Sequence, residues 1–137
     1  MKLTNGRHVP PETELWEACD PVITKPGIYR RSCHFPVLDR LWIGYGDFET
    51  SRKALNALWK RESWKLYVDR RAVDLKAFGT AERILIAYPP AGGKDAILRE
   101  WAVRLVDPPR GKHTIRYITR STRTSAVVDA TWTVSIG

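Results

Sequence analysis

Thr80-Ala81-Glu82-Arg83-Ile84-Leu85-Ile86-Ala87-Tyr88-Pro89-Pro90 decides how the second half of the chain is read. A threonine able to cap, an acid in the first turn and a proline pair at the far end predict a helix over 80–88. The Ala91-Gly92-Gly93 loop then leads into a second predicted helix, 94–105. Before them, 64–70 alternates enough for a strand. A helix fits 49–61, with Leu55, Leu58 and Trp59 on one face and Arg52, Lys53, Lys60 and Arg61 around the rest. Strands are expected at 25–31 and 40–45, with Asp47 as the cap that follows. At the far end 113–120 and 126–136 form a hairpin. There Val128, Ala130, Trp132, Val134 and Ile136 alternate with Asp129, Thr131, Thr133 and Ser135.

At the other end, 1–10 reads as an extended arm and 11–18 as a short helix, which Asp20-Pro21 would end because the residue before proline avoids helical angles. The expected fold is therefore α/β, a small mixed and largely antiparallel sheet flanked by helices, with an added C-terminal β-hairpin. One domain is expected, with the arm and short helix over 1–24, a core over 25–90 and an extension over 91–137.

The 137 residues, 43% hydrophobic and 28% charged, argue against global disorder. A surplus of 23 Lys and Arg over 15 Asp and Glu, a formal charge of +8, favours a polyanionic partner. No apolar run approaches the roughly 20 residues of a membrane span. The polar N-terminus, with Glu12, Glu14 and Glu17, carries no targeting signal, so a cytoplasmic setting is expected. Cys19 and Cys33 sit in no Cys-x-x-Cys or Cys/His spacing and read as separate reduced thiols. His8, His34 and His113 have no metal spacing among them, and no P-loop or dinucleotide fingerprint occurs.

Pro26-Gly27-Ile28-Tyr29, then Trp42-Ile43-Gly44, then Arg52 eight residues after that glycine, then Glu82 in Glu82-Arg83-Ile84-Leu85-Ile86, resembles the GIY-YIG nuclease signature over about 25–90. Trp42 stands where the second Tyr would be, and Asn56 where the family carries His or Tyr. The resemblance implies that the two motif strands lie side by side and that a metal-dependent endonuclease cuts DNA. Tyr29 would position or deprotonate the attacking water, Arg52 would steady the phosphate, and Glu82 would hold Mg²⁺ or Mn²⁺. Trp42 cannot replace a phenol as a base, and Asn56 can hydrogen-bond but not shuttle a proton.

The basic residues expected to bind nucleic acid, taken as double-stranded DNA, are Lys25, Arg30, Arg31, Lys53, Arg110, Lys112, Arg116, Arg120 and Arg123. Arg116 and Arg120 would share one strand face. Two alternatives stand beside cleavage: a degenerate relative that binds nucleic acid without cutting it, and a small phage or mobile-element protein that binds or inhibits another protein.

Overall fold

A computed structural model of the chain describes residues 1–19, 23, 25–122 and 124–137. Its order is β1 (Lys2–Thr4), α1 (Leu15–Cys19), β2 (Gly27–Phe35), β3 (Arg40–Trp42), β4 (Tyr45–Glu49), α2 (Arg52–Trp59), β5 (Glu62–Val68), β6 (Arg71–Val73), α3 (Leu75–Phe78), β7 (Thr80–Tyr88), β8 (Lys94–Trp101), β9 (Arg104–Val106), β10 (Gly111–Ser121) and β11 (Val127–Ile136). These strands form three sheets, ordered β1-β9-β3, β4-β8-β7 and β2-β11-β10-β5-β6. The fold is mostly β, which corrects the α/β expectation.

The correction lies in the opening stretch. Residues 80–88 and 94–101 are not helices but the antiparallel hairpin β7–β8, with Glu82 opposite Arg99 and Arg83 opposite Leu98. Thr80, Ile84 and Ile86 are β-branched and pack well on a pleated surface. The two glycines close the turn: Gly92 at φ 69° and Gly93 at φ 79° adopt the left-handed region, and the Gly93 amide donates to the Tyr88 carbonyl at 3.0 Å. Residues 104–106, which begin within the last two residues of the predicted helix 94–105, form β9 between β1 and β3.

β3 leads directly into β4, and β8 into β9. The two small sheets thus continue one into the other across a bend, where the Ile43 amide donates to the Val103 carbonyl at 3.0 Å. This bent layer packs on the five-stranded sheet. Their shared core holds Leu41, Ile43, Val103 and Leu105 from the first, and Leu66, Ile115, Tyr117, Trp132 and Val134 from the second, with Leu15 of α1.

The C-terminal hairpin is present as β10–β11, with Gly111 opposite Ile136 and Arg120 opposite Val127. It is no appendage: β11 pairs in parallel with β2, and β10 with β5, so the hairpin forms the middle of the main sheet. Helix α2 is where periodicity expects it, but its cap is Ser51, whose hydroxyl accepts from the Ala54 amide at 3.2 Å; Asp47 lies within β4. Cys19 and Cys33, expected as separate thiols, form a disulfide that ties α1 to β2. The expected helix stop at Asp20-Pro21 lies outside the described residues. No helix among the described residues is long and apolar enough to cross a membrane.

Candidate nucleic-acid interface

The two halves of the nuclease-like motif do not lie side by side. The strand bearing Gly27-Ile28-Tyr29 joins the five-stranded sheet beside β11, whereas Trp42 closes β3, which pairs with β9. Each half is explained by packing. The Tyr29 ring lies over Gly27, where an added Cβ would meet it at 3.5 Å, and the Trp42 ring lies over Gly44, where a Cβ would meet it at 2.4 Å. An aromatic side chain two residues from a glycine covers the bare backbone on the same strand face. Tyr29 donates its hydroxyl to the Lys25 carbonyl at 2.7 Å. Trp42 is 1% exposed and packs under the guanidinium of Arg104.

Arg52, Asn56 and Glu82, by contrast, do meet. Arg52 and Asn56 are one turn apart on α2, and Glu82 faces them from β7. Glu82 accepts from Arg52, and from Arg99 on β8 at 3.0 Å (Nε) and 2.7 Å (Nη2). Arg99 also donates to Asn56 Oδ1 at 2.7 Å and lies over the Trp59 ring. Hydrogen bonds from Arg99 and then Arg52 hold the Glu82 carboxyl below the usual range. Both Glu82 oxygens are therefore engaged by guanidinium groups, and the cluster pins α2 to the β7–β8 hairpin. Among the described residues no group of three His, Cys, Asp or Glu is arranged to hold a metal ion. Placing 94–105 on a helix hid Arg99; its position opposite Glu82 follows only from the strand register.

The basic residues gather elsewhere. Along β10, Ile115, Tyr117 and Thr119 point inward and are buried, so Lys112, Arg116 and Arg120 project from the opposite, outer face with Thr114 and Ile118. The register carries this face across the sheet. One row runs Arg30, Thr131, Arg116, Tyr67 and Ala72, and the next runs Ile28, Asp129, Ile118 and Lys65. Arg30, Lys65, Lys112, Arg116 and Arg120 are all exposed. At about 4.8 Å between strands and 3.3 Å per residue, Arg30 and Arg116 are about 10 Å apart, and Arg116 and Arg120 about 13 Å.

Asp129 is the one carboxylate on the outer face of these strands among the described residues. Arg116 donates to it from Nε at 2.9 Å and Nη2 at 2.7 Å, and this bidentate pair, with Arg30 nearby, keeps the carboxyl below its usual range. Ser32, Ser63, Thr114, Thr131, Thr133 and Ser135 place hydroxyls among them, Ile28 is exposed there, and Tyr67 offers a half-buried ring.

Of the residues expected to bind nucleic acid, Arg30, Lys112, Arg116 and Arg120 share this face. Arg31 faces the other way along β2 and lies over the Tyr29 ring. Lys25 precedes β2, Arg110 lies beside Gly137 at the end of the hairpin, and Lys53 belongs to α2. Arg123 lies outside the described residues. His113 points inward, with Nδ1 2.8 Å from Asp69 Oδ2 and Nε2 2.7 Å from the Pro109 carbonyl. Lys65 and Tyr67 are additions that alternation along 64–70 could have placed opposite Leu66 and Val68. Comparison with known proteins adds no relative: no family model, curated protein or solved structure matches the chain.

Proposed function

We propose that the chain binds nucleic acid across the outer face of its five-stranded sheet. The observation that carries this reading is the row-by-row placement of Arg30, Lys65, Lys112, Arg116 and Arg120 on one exposed face, against a single carboxylate among the described residues. Guanidinium and ammonium groups at such spacings suit phosphates along a strand, while hydroxyls and the Tyr67 ring supply hydrogen bonds and a surface for a base. The cations that meet Glu12, Glu14, Glu82 and Glu100 are matched by those acids, whereas Arg30, Lys65, Lys112 and Arg120 stand exposed on this face beside the Arg116–Asp129 pair. The face uses neither Cys19 nor Cys33.

Anisotropy titrations of labelled single-stranded and duplex oligonucleotides test the reading. Five phosphate contacts would give a log–log salt slope of about −3.5 on single strands and about −4.5 on duplex. Affinity that ignores salt, or that survives Lys65→Ala/Arg116→Ala/Arg120→Ala unchanged, would sink it.

A second reading, metal-dependent cleavage of DNA, is favoured by one observation, the meeting of Arg52, Asn56 and Glu82. Mg²⁺ or Mn²⁺ would have to displace a guanidinium from Glu82, and Tyr29 and Trp42 would take no part. Plasmid nicking with either metal, lost in Glu82→Ala, is its test; no nicking by the wild-type chain would retire it.

A further inference from the structure

Among the described residues the three sheets end in β1 and β3, in β4 and β7, and in β2 and β6. Most of these outer strands are short: β1, β3 and β6 have three residues and β4 has five. β2 and β7 each run for nine. A long outer strand offers a row of N–H and C=O groups to any other strand, and exposed charge is a common block against such pairing. β2 follows that rule, with Arg30 and Arg31 exposed on its two faces.

β7 does not. Its two charged side chains are engaged within the molecule. Glu82 accepts from Arg52 and Arg99, and Arg83 pairs with Glu14 at 2.6 Å and with Glu100 at 3.2 Å. What the strand presents instead is Ile84, 67% exposed, and Ile86, 73% exposed, neighbours on one strand face. Among the described residues no main-chain hydrogen bond reaches 81–86 from outside the β7–β8 hairpin. The open edge stops where the register shifts between Leu85 and Tyr88. There Ala87 takes φ 46°, and its amide donates to Asp95 Oδ1 at 2.9 Å.

We infer that β7 is a pairing edge for a second copy of this chain, the two β7 strands running antiparallel about a twofold axis at Ile84. The strand's own sequence names the occupant. About that axis Ile84 meets Ile84, Arg83 meets Leu85 and Glu82 meets Ile86, so no like charges stand opposite each other. The paired stretch, 82–86 of each copy, lies wholly ahead of the bulge. Residues opposite one another share a face, so Ile84 and Ile86 of both copies form one apolar stripe across the joined sheets. A copy docked through β2 would instead bring Arg30 and Arg31 of both chains together.

The basic face belongs to the five-stranded sheet, so the inference does not rest on the nucleic-acid reading. Sedimentation velocity of the intact chain tests it, from about 5 µM to about 500 µM. The weight-average mass should climb from one chain, 15.7 kDa, towards two. Ile84→Lys sets ammonium against ammonium at the axis and should hold the mass at one chain throughout. Val37→Lys, at a side chain 76% exposed but in the loop after β2, should leave the climb unchanged. Hydrogen exchange of the wild-type chain locates the contact, and decides alone if Ile84→Lys fails to melt cooperatively. Amides within 82–86 should exchange at least about threefold more slowly at the high concentration, and those of β2 equally at both. A mass of one chain at every concentration, a dimer kept by folded Ile84→Lys or lost equally in Val37→Lys, or exchange slowed on β2 in place of β7 would overturn the inference.

Discussion

Arg104 and Arg116 both grip a carboxylate through two nitrogens, but they stand in opposite settings. Arg104 is 7% exposed, pairs with Glu12 and reaches the Asn5 and Arg7 carbonyls at 3.1 and 2.7 Å, so it straps the N-terminal segment onto the bent layer. Arg116 pairs with Asp129 on an open sheet face, the one carboxylate there among the described residues, with exposed cations around it. The difference separates two uses of one residue type. Where guanidinium and carboxylate are buried together, removing one strands the other. Where cations crowd an open face around one acid, the pairing adds little to stability and leaves charge to spare.

The sharpest way to break this contrast is Glu12→Ala. It would leave Arg104 buried without its acid and should cost about 3 kcal/mol in denaturant unfolding, with nucleic-acid affinity unchanged. The mirror experiment is Lys65→Ala/Arg116→Ala/Arg120→Ala. It should lower oligonucleotide affinity about 100-fold at moderate salt, a shift of about 2.7 kcal/mol, and move unfolding by less than about 0.5 kcal/mol. If the face variant unfolds and the strap variant does not, the contrast is inverted.

Two smaller effects read the ionisable pairs through pH. Glu62 has its folded value raised, so its ionisation opposes folding. Stability should fall as pH rises from the ordinary carboxyl range towards 9, and Glu62→Gln should flatten that fall in pH-dependent melts. His113 is also raised: burial opposes its charge, but the hydrogen bonds to Asp69 and the Pro109 carbonyl outweigh it. Its contribution should be complete below the ordinary histidine value and fade as pH climbs through the raised one. The effect should be less than about 1 kcal/mol and absent in Asp69→Asn.

How much of this was legible in the sequence depends on whether a signal was local. The alternation of 126–136 and the apolar stripe of 49–61 are properties of single segments, and both elements formed. The hairpin β7–β8 was hidden because its boundary residues suit either structure. Thr80 can open a strand as well as cap a helix, and a proline pair followed by two glycines ends both. The β-branched Ile84 and Ile86 and the Gly92-Gly93 pair were the strand-and-turn signals that the helix reading passed over.

The motif halves misled for a related reason. Glycine with an aromatic residue two positions away is what a strand needs to cover bare backbone, and this chain does so twice, in different sheets. Arg116 and Arg120 could be placed on one face from a single strand. Arg30 and Lys65 reach that face only through pairings with β11 and β10, and the Cys19–Cys33 bond likewise depends on α1 docking under β2.

The most direct test of the central claim is a map of backbone amide shifts in ¹⁵N-labelled chain as a short oligonucleotide is added. The account predicts that the largest shifts fall on β10, β5 and β2, around Arg116, Arg120, Lys65 and Arg30, while α2 and the β7–β8 hairpin stay still. Shifts centred on Arg52, Asn56 and Glu82, with the sheet face unmoved, would contradict it.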